Sequence, residues 1–160
     1  MGQYLLGIDL GAGSLKASVI DAQGAVLGEA SHPLGTSIPH FGWSEQDPAA
    51  WFAALCAAVP QALAQASVLP GALACIGISA GAHSLVLTGP DGKVLRPAIM
   101  WNDQRSAAEA AALHVATGDM IIATAYNRVN PTWTLAMLAW LRAHEPDVFA
   151  QVERLYLAKD

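Results

Sequence analysis

Apolar and polar positions along the first thirty residues follow the short period of β-strands. Residues 4–10 are an apolar run closed by Gly11-Ala12-Gly13-Ser14, and residues 15–20 alternate apolar with polar or small side chains. Asp21-Ala22-Gln23-Gly24 reads as a turn into a third strand at 25–30, so this region predicts an antiparallel meander. Residues 31–43, rich in Pro, Gly and His, predict a loop. The period then lengthens. Asp47-Pro48 supplies an N-cap and a first-turn proline, and Trp51, Leu55, Val59 and Leu63 fall on one helical face. Pro60 is expected to bend or interrupt that helix, because it lacks an amide and crowds the preceding turn. Strand patterns resume at 73–79 and 84–88, and Gly89-Pro90-Asp91-Gly92 predicts a hairpin turn into Lys93-Val94-Leu95. Ser106-Ala107-Ala108-Glu109 has the form of a capping box for a helix ending near Gly118. Asn130-Pro131 opens another helix carrying Leu135, Leu138 and Leu141, which Glu145-Pro146 stops. A short helix and the strand-like Leu155-Tyr156-Leu157 complete the order. Met120, Trp133, Met137 and Trp140 have helical spacing and are expected to pack in the core. The order predicts an α/β domain on a mixed sheet, arranged as one compact lobe.

Composition narrows the picture. A chain of 160 residues with eight Lys plus Arg and thirteen Asp plus Glu carries a formal charge of −5, which argues against a nucleic-acid partner. The 54% hydrophobic share is dominated by alanine, and no uninterrupted apolar run approaches the roughly 20 residues of a spanning helix. Met1-Gly2-Gln3-Tyr4 lacks the basic region and apolar stretch of a signal peptide. Cys56 and Cys75 are expected to be buried free thiols rather than a disulfide. His32, His40, His114 and His144 show no metal-ligand spacing, so a metal bound wholly by protein is not expected. A soluble cytoplasmic domain without membrane partners is the expectation.

Three segments carry candidate chemistry. In Gly7-Ile8-Asp9-Leu10-Gly11-Ala12-Gly13-Ser14-Leu15-Lys16, Gly11 and Gly13 let backbone amides approach an anion. Asp9, ending a strand, can hold hydrated Mg²⁺ beside a triphosphate, and Lys16 supplies positive charge. The segment is neither a Walker A loop nor a dinucleotide fingerprint, and it reads equally well as an ordinary glycine-rich hairpin. In Ile78-Ser79-Ala80-Gly81-Ala82-His83-Ser84, a strand ends by presenting His83, an uncharged partner for a sugar hydroxyl. Alone, that histidine reads more simply as a loop residue. In Trp101-Asn102-Asp103-Gln104-Arg105, an indole wall adjoins amide, acceptor and donor groups suited to a polyol. The competing reading is a core tryptophan with a solvated Asp–Arg pair.

Taken in order, these segments resemble the FGGY family of sugar kinases, and its xylulokinase branch in particular. Trp43-Ser44-Glu45-Gln46-Asp47-Pro48 followed by Trp51, Arg96-Pro97-Ala98-Ile99-Met100, Trp140 through Glu145-Pro146, and Leu157-Ala158-Lys159-Asp160 also fit the family. The resemblance implies an α/β lobe of the actin/Hsp70-like ATPase (ribonuclease H-like) fold, with a mixed sheet, an antiparallel meander and flanking helices. It implies ATP and Mg²⁺ as cofactors and a small sugar or polyol as substrate, a pentulose such as xylulose being favoured. Asp9, Gly11, Gly13, Ser14 and Lys16 would bind the Mg-ATP phosphates, with Asp9 reaching Mg²⁺ through water. Ala82, His83, Trp101, Asn102, Asp103 and Arg105 would bind the sugar. The family's catalytic Asp and adenine motifs fall beyond residue 160. Residues 1–160 are therefore expected to be an N-terminal lobe, truncated before the C-terminal lobe, with no catalytic base and no turnover alone. Such a lobe is expected to expose apolar surface, which a homodimer is one way to cover. Ala12 replaces the family's Thr or Ser, Ala82 a Met, and Met137 a Lys. The Ala82 departure bears on which sugar is bound, and Ala12 and Met137 give weight to an alternative, a non-catalytic sugar sensor or regulatory protein that keeps the fold.

Overall fold

The computed structural model describes residues 3–160. Met1 and Gly2 of the stretch tested for a leader lie outside the described residues. The chain runs through strands β1 (Tyr4–Leu10), β2 (Ser14–Asp21), β3 (Val26–Pro33) and β4 (Glu45–Gln46), then helix α1 (Pro48–Ala66). Strands β5 (Leu73–Ala80), β6 (Leu85–Thr88) and β7 (Ala98–Ile99) follow, then helices α2 (Ala107–Thr117), α3 (Asp119–Ala125), α4 (Thr134–His144) and α5 (Pro146–Phe149), and strand β8 (Arg154–Leu157). Where the element order suggests one lobe, contacts group the elements into two compact units. The first comprises the residues up to Thr36, Asp47–Gly81 and Lys159; the second comprises Ser37–Gln46, Ala82–Ala158 and Asp160.

In the first unit, β1, β2 and β3 form the expected antiparallel meander, and β5 pairs parallel with β1 to give a mixed sheet of order β3-β2-β1-β5. Leu6, Ile8 and Leu10 alternate with Gly7 and Asp9, so one face of β1 is apolar and buried and the other polar. Helix α1 starts as its sequence predicts, Asp47 Oδ1 accepting from the Ala49 amide at 2.9 Å with Pro48 in the first turn. It runs through Pro60 without interruption. Pro60 and Cys56 are both exposed, so water can satisfy the carbonyl that the proline leaves unbonded.

The helix face is not the expected row of large residues. Trp51 and Leu63 are buried, but Leu55 and Val59 are only half-buried, and the deepest positions are Ala54, Ala58 and Ala62. Those alanines let α1 close onto the sheet. A Cβ built at Gly28 on β3 would stand 2.4 Å from the Ala62 carbonyl oxygen and 2.6 Å from the Ala66 nitrogen. Gly28→Ala is therefore expected to force helix and sheet apart, at a cost of about 1–3 kcal/mol. Thermal unfolding should report a Tm lowered by about 2–4 °C for each kcal/mol lost. An unchanged Tm would contradict this packing.

The expectation for the cysteines is corrected. Cys56 and Cys75 are free, as expected, but both are exposed, because they lie on the outer side of α1 and on the uncovered strand β5. Helix α1, with no charged residue, is long and apolar enough by length and composition to cross a membrane, although Pro60, Gln61 and Gln65 interrupt its apolar run. Exposed apolar surface does occur: Ile76 and Ile78 on the edge strand β5 are 59% and 56% exposed.

In the second unit the later strands build their own antiparallel sheet, of order β4-β7-β6-β8, instead of extending the first. Leu85, Leu87, Ile99, Met137, Trp140 and Leu141 form its core. The hairpin after β6 is present, with Gly92 at φ 76° and Thr88 bridging Val94. The capping box does not form. Ser106 Oγ donates instead to the Pro131 carbonyl at 2.7 Å, and Glu109 meets His144 Nε2 at 2.9 Å. Helix α4 begins at Thr134 rather than at Asn130, because Asn130 Oδ1 closes a turn by accepting from the amide and hydroxyl of Thr132. Its buried face is Ala136, Met137, Trp140 and Leu141, whereas Leu135 is 45% exposed. Met120, expected in the core, is exposed on α3.

Candidate functional site

The sequence-predicted phosphate residues all lie in the first unit. Antiparallel register sets Asp9 opposite Lys16, and parallel register sets it opposite Ser79. Gly7, Asp9, Lys16, Ser18, Gly77 and Ser79 line an open hollow of about 430 Å³ together with Ile8 and Ile78. Gly11 tightens the turn beside it: its N–H donates to the Ser14 carbonyl at 3.0 Å, and a Cβ there would meet that oxygen at 3.2 Å. The Gly11 amide is thus committed to the hairpin and is not a donor for an anion. Gly13 is exposed, and its carbonyl accepts from the Leu34 amide at 2.9 Å. Lys16 Nζ lies 3.2 Å from Glu29 Oε1, and Ser18 Oγ donates to Glu29 Oε2 at 2.9 Å. These two contacts, the serine first, hold the Glu29 carboxyl below the usual carboxylate range. Sequence reasoning missed Glu29, which sits one strand away from Lys16 in the register.

Among the described residues no group of three or more His, Cys, Asp or Glu could hold a metal. The donor set at Asp9 is one exposed carboxylate beside Ser18 and Ser79 hydroxyls. That set fits Mg²⁺ held mainly by water and substrate phosphates, the usual arrangement for this cation, rather than an all-protein cage.

The sequence-predicted sugar residues lie in the second unit and divide into two groups. Ala82, Trp101 and Asn102 are exposed, Trp101 at 46%. His83 is half-buried, with φ 63°, its ring stacked on Trp133 at 6.2 Å and its Nδ1 3.3 Å from Thr134 Oγ1. Asp103 and Arg105 face inward. Asp103 accepts from the Ser44 amide at 2.6 Å, from the Arg105 amide at 2.8 Å, and from Arg105 Nε and Nη2 at 2.9 and 2.8 Å. The Arg105 guanidinium lies 3.8 Å over the Trp43 ring, and its Nη1 makes a 2.8 Å charge contact with Glu45. Arg96 pairs with Glu45 and reaches Glu145 at 3.2 Å. Burial lowers the Arg96 pKa, while Glu145 and Glu45 oppose that shift and Arg105 adds to it.

Asp103 and Arg105 were expected to touch the sugar. With side chains 1% and 0% exposed, they instead lock the turn that carries Trp101 and Asn102. The solvated-pair reading fails for the same reason. Trp43, Glu45, Arg96, Glu145, Trp133 and Thr134 were not singled out as site residues. Their signal was available only as charges set among apolar neighbours in a chain with 13% charged residues.

The meander with a parallel fourth strand, carrying an open hollow at Asp9, belongs to the actin/Hsp70-like ATPase fold. The chain belongs to the FGGY family of carbohydrate kinases, whose N-terminal domain model matches residues 4–160. It is 37% identical over 155 residues to a xylulose kinase of Escherichia coli K12, covering 97% of this chain and 31% of that one. It is 36% identical to a glycerol kinase of Aromatoleum aromaticum over 97% of this chain and 32% of that one. The crystal structure of a xylulose kinase from Rhodospirillum rubrum superposes with a TM-score of 0.91 at 29% identity, covering 99% of this chain and 33% of that one. The chain spans about a third of the length of the curated relatives it matches.

Proposed function

We propose that residues 1–160 form the N-terminal lobe of a cytoplasmic kinase that uses ATP to phosphorylate a hydroxyl of a small sugar or polyol, a pentulose such as xylulose being favoured. The observation that carries this reading is the register that sets Asp9 against Lys16 and Ser79 around one open hollow, within this fold. Matches to kinases named for xylulose support the pentulose; the match to a glycerol kinase keeps the class at small polyols.

In the proposed reaction, the substrate hydroxyl oxygen bonds to the γ-phosphorus, the bond to the ADP oxygen breaks, and the hydroxyl proton passes to a carboxylate outside these residues. Mg²⁺, when bound, neutralises charge on the phosphates. Asp9 would hold the hydrated metal, and the Ala12–Ser14 backbone and Lys16 would face the phosphate oxygens. Lys16 must leave Glu29 to do so, a small cost for an exposed pair. His83 and Asn102 hydrogen-bond the sugar, Trp101 forms an apolar wall, and exposed Ala82 leaves room beside His83. Asp103 and Arg105 hold the turn beneath them. Met137, whose departure from the family pattern favoured a sensor, is fully buried among Leu85, Ile99 and Trp140, where an apolar side chain serves packing.

Calorimetric titration of the kinase carrying this chain with xylulose tests the sugar residues. His83→Ala and Trp101→Ala are each expected to weaken binding about tenfold, the loss of one buried hydrogen bond or one apolar wall. Unchanged affinity in both variants would overturn the assignment.

A further inference from the structure

Three separate constraints converge on one ring. His83 takes a left-handed backbone conformation at φ 63°, uncommon for a residue with a Cβ. Its imidazole lies nearly parallel to Trp133, with an interplanar angle of 14°. Its Nδ1 stands 3.3 Å from Thr134 Oγ1.

The behaviour of Thr134 distinguishes it from other helical threonines in the chain. Thr117 and Thr124 return their hydroxyls to carbonyls four residues back, Leu113 at 2.7 Å and Met120 at 3.0 Å, as threonines inside helices commonly do. Thr134 is the first residue of α4, and its hydroxyl meets His83 instead. Histidine in its neutral form has one donor and one acceptor nitrogen, so a hydroxyl that donates to Nδ1 leaves the proton on Nε2, whereas one that accepts from Nδ1 leaves Nε2 bare.

We propose that Thr134 is a positioning residue for sugar recognition: its hydroxyl donates to His83 Nδ1 and fixes the tautomer protonated at Nε2, so that the ring presents an N–H donor to a sugar oxygen. The left-handed backbone and the Trp133 face set the direction of the ring, and Thr134 sets which nitrogen carries the proton. This rests on His83 contacting the sugar, as proposed above.

The test compares the wild-type protein with Thr134→Val, which keeps the shape but loses the hydroxyl, with Thr134→Ser, which keeps the hydroxyl, and with His83→Ala. The ring ¹⁵N shifts of His83, recorded at a pH where the ring is neutral, read the tautomer without any substrate. Xylulose and ATP kinetics read the consequence. The expected wild-type signature is an acceptor-type Nδ1 and a protonated Nε2; Thr134→Val mixes the tautomers and Thr134→Ser restores a single one. Thr134→Val is also expected to raise the xylulose KM about 3–10-fold, the size of one hydrogen bond, with kcat and the ATP KM within twofold. A wild-type ring protonated at Nδ1 overturns the proposal even if Thr134→Val fails to fold. So does an unchanged tautomer and xylulose KM in Thr134→Val. An unchanged xylulose KM in His83→Ala defeats the sugar reading of His83 instead, and the ¹⁵N spectra then decide the Thr134 contact by themselves.

Discussion

Asp103→Ala is expected to destabilise the second unit by about 3–5 kcal/mol, the range seen when one partner of a buried ion pair is removed. The Asp103 side chain is 1% exposed and accepts four hydrogen bonds, three from Arg105 and one from Ser44. Removing it leaves Arg105, at 0% exposure, to share Glu45 with Arg96, and leaves the Ser44 amide without its acceptor. The Arg105 side chain is fully buried, so bulk water offsets little of the loss. Against a total stability of about 5–15 kcal/mol, the variant should unfold at a much lower urea midpoint with little change in slope. Trp101→Ala, on the exposed side of the same turn, should cost about 1 kcal/mol or less, so the contrast isolates burial from position. A loss of under about 1 kcal/mol in Asp103→Ala would mean that the pair behaves like an exposed one.

The second large effect is chemical. Asp9→Ala is expected to lower kcat of the kinase about 10³-fold while leaving sugar affinity within a factor of two, since the role proposed for the lost group is on phosphate charge developing in the transition state. Asp9 is exposed at the polar side of β1, and substitutions at exposed positions usually change stability by about 0.5 kcal/mol or less. Lost turnover would therefore not be lost folding. The measurement is initial-rate kinetics with a parallel xylulose titration. A kcat within about tenfold of wild type would remove Asp9 from the phosphate machinery.

Much of the fold was legible because its signals are local. Strand periodicity marked β1 from Tyr4 to Leu10, and Asp47-Pro48 marked the start of α1. What escaped depends on partners distant in sequence. The second sheet relies on two-residue strands, β4 and β7, too short to carry a period of their own. Ser106 looked like a cap, but the Pro131 carbonyl competes for its hydroxyl. Alanine richness looked compositional until Gly28 and Ala62 brought sheet and helix close together. In the candidate site, the motif residues were legible while their division of labour was not. Asp103 and Arg105 are polar neighbours of Asn102 in sequence, yet only packing against Trp43 and Glu45 turns them inward.

As proposed, the chain contributes a phosphate hollow and a sugar surface to a kinase. Sugar-dependent ADP release by the kinase carrying it is the most direct measurement. Release of ADP that rises and saturates with xylulose, one ADP per sugar phosphate formed, is the predicted result. Saturable xylulose binding with no ADP released above the sugar-free rate would contradict the claim and make the protein a sensor.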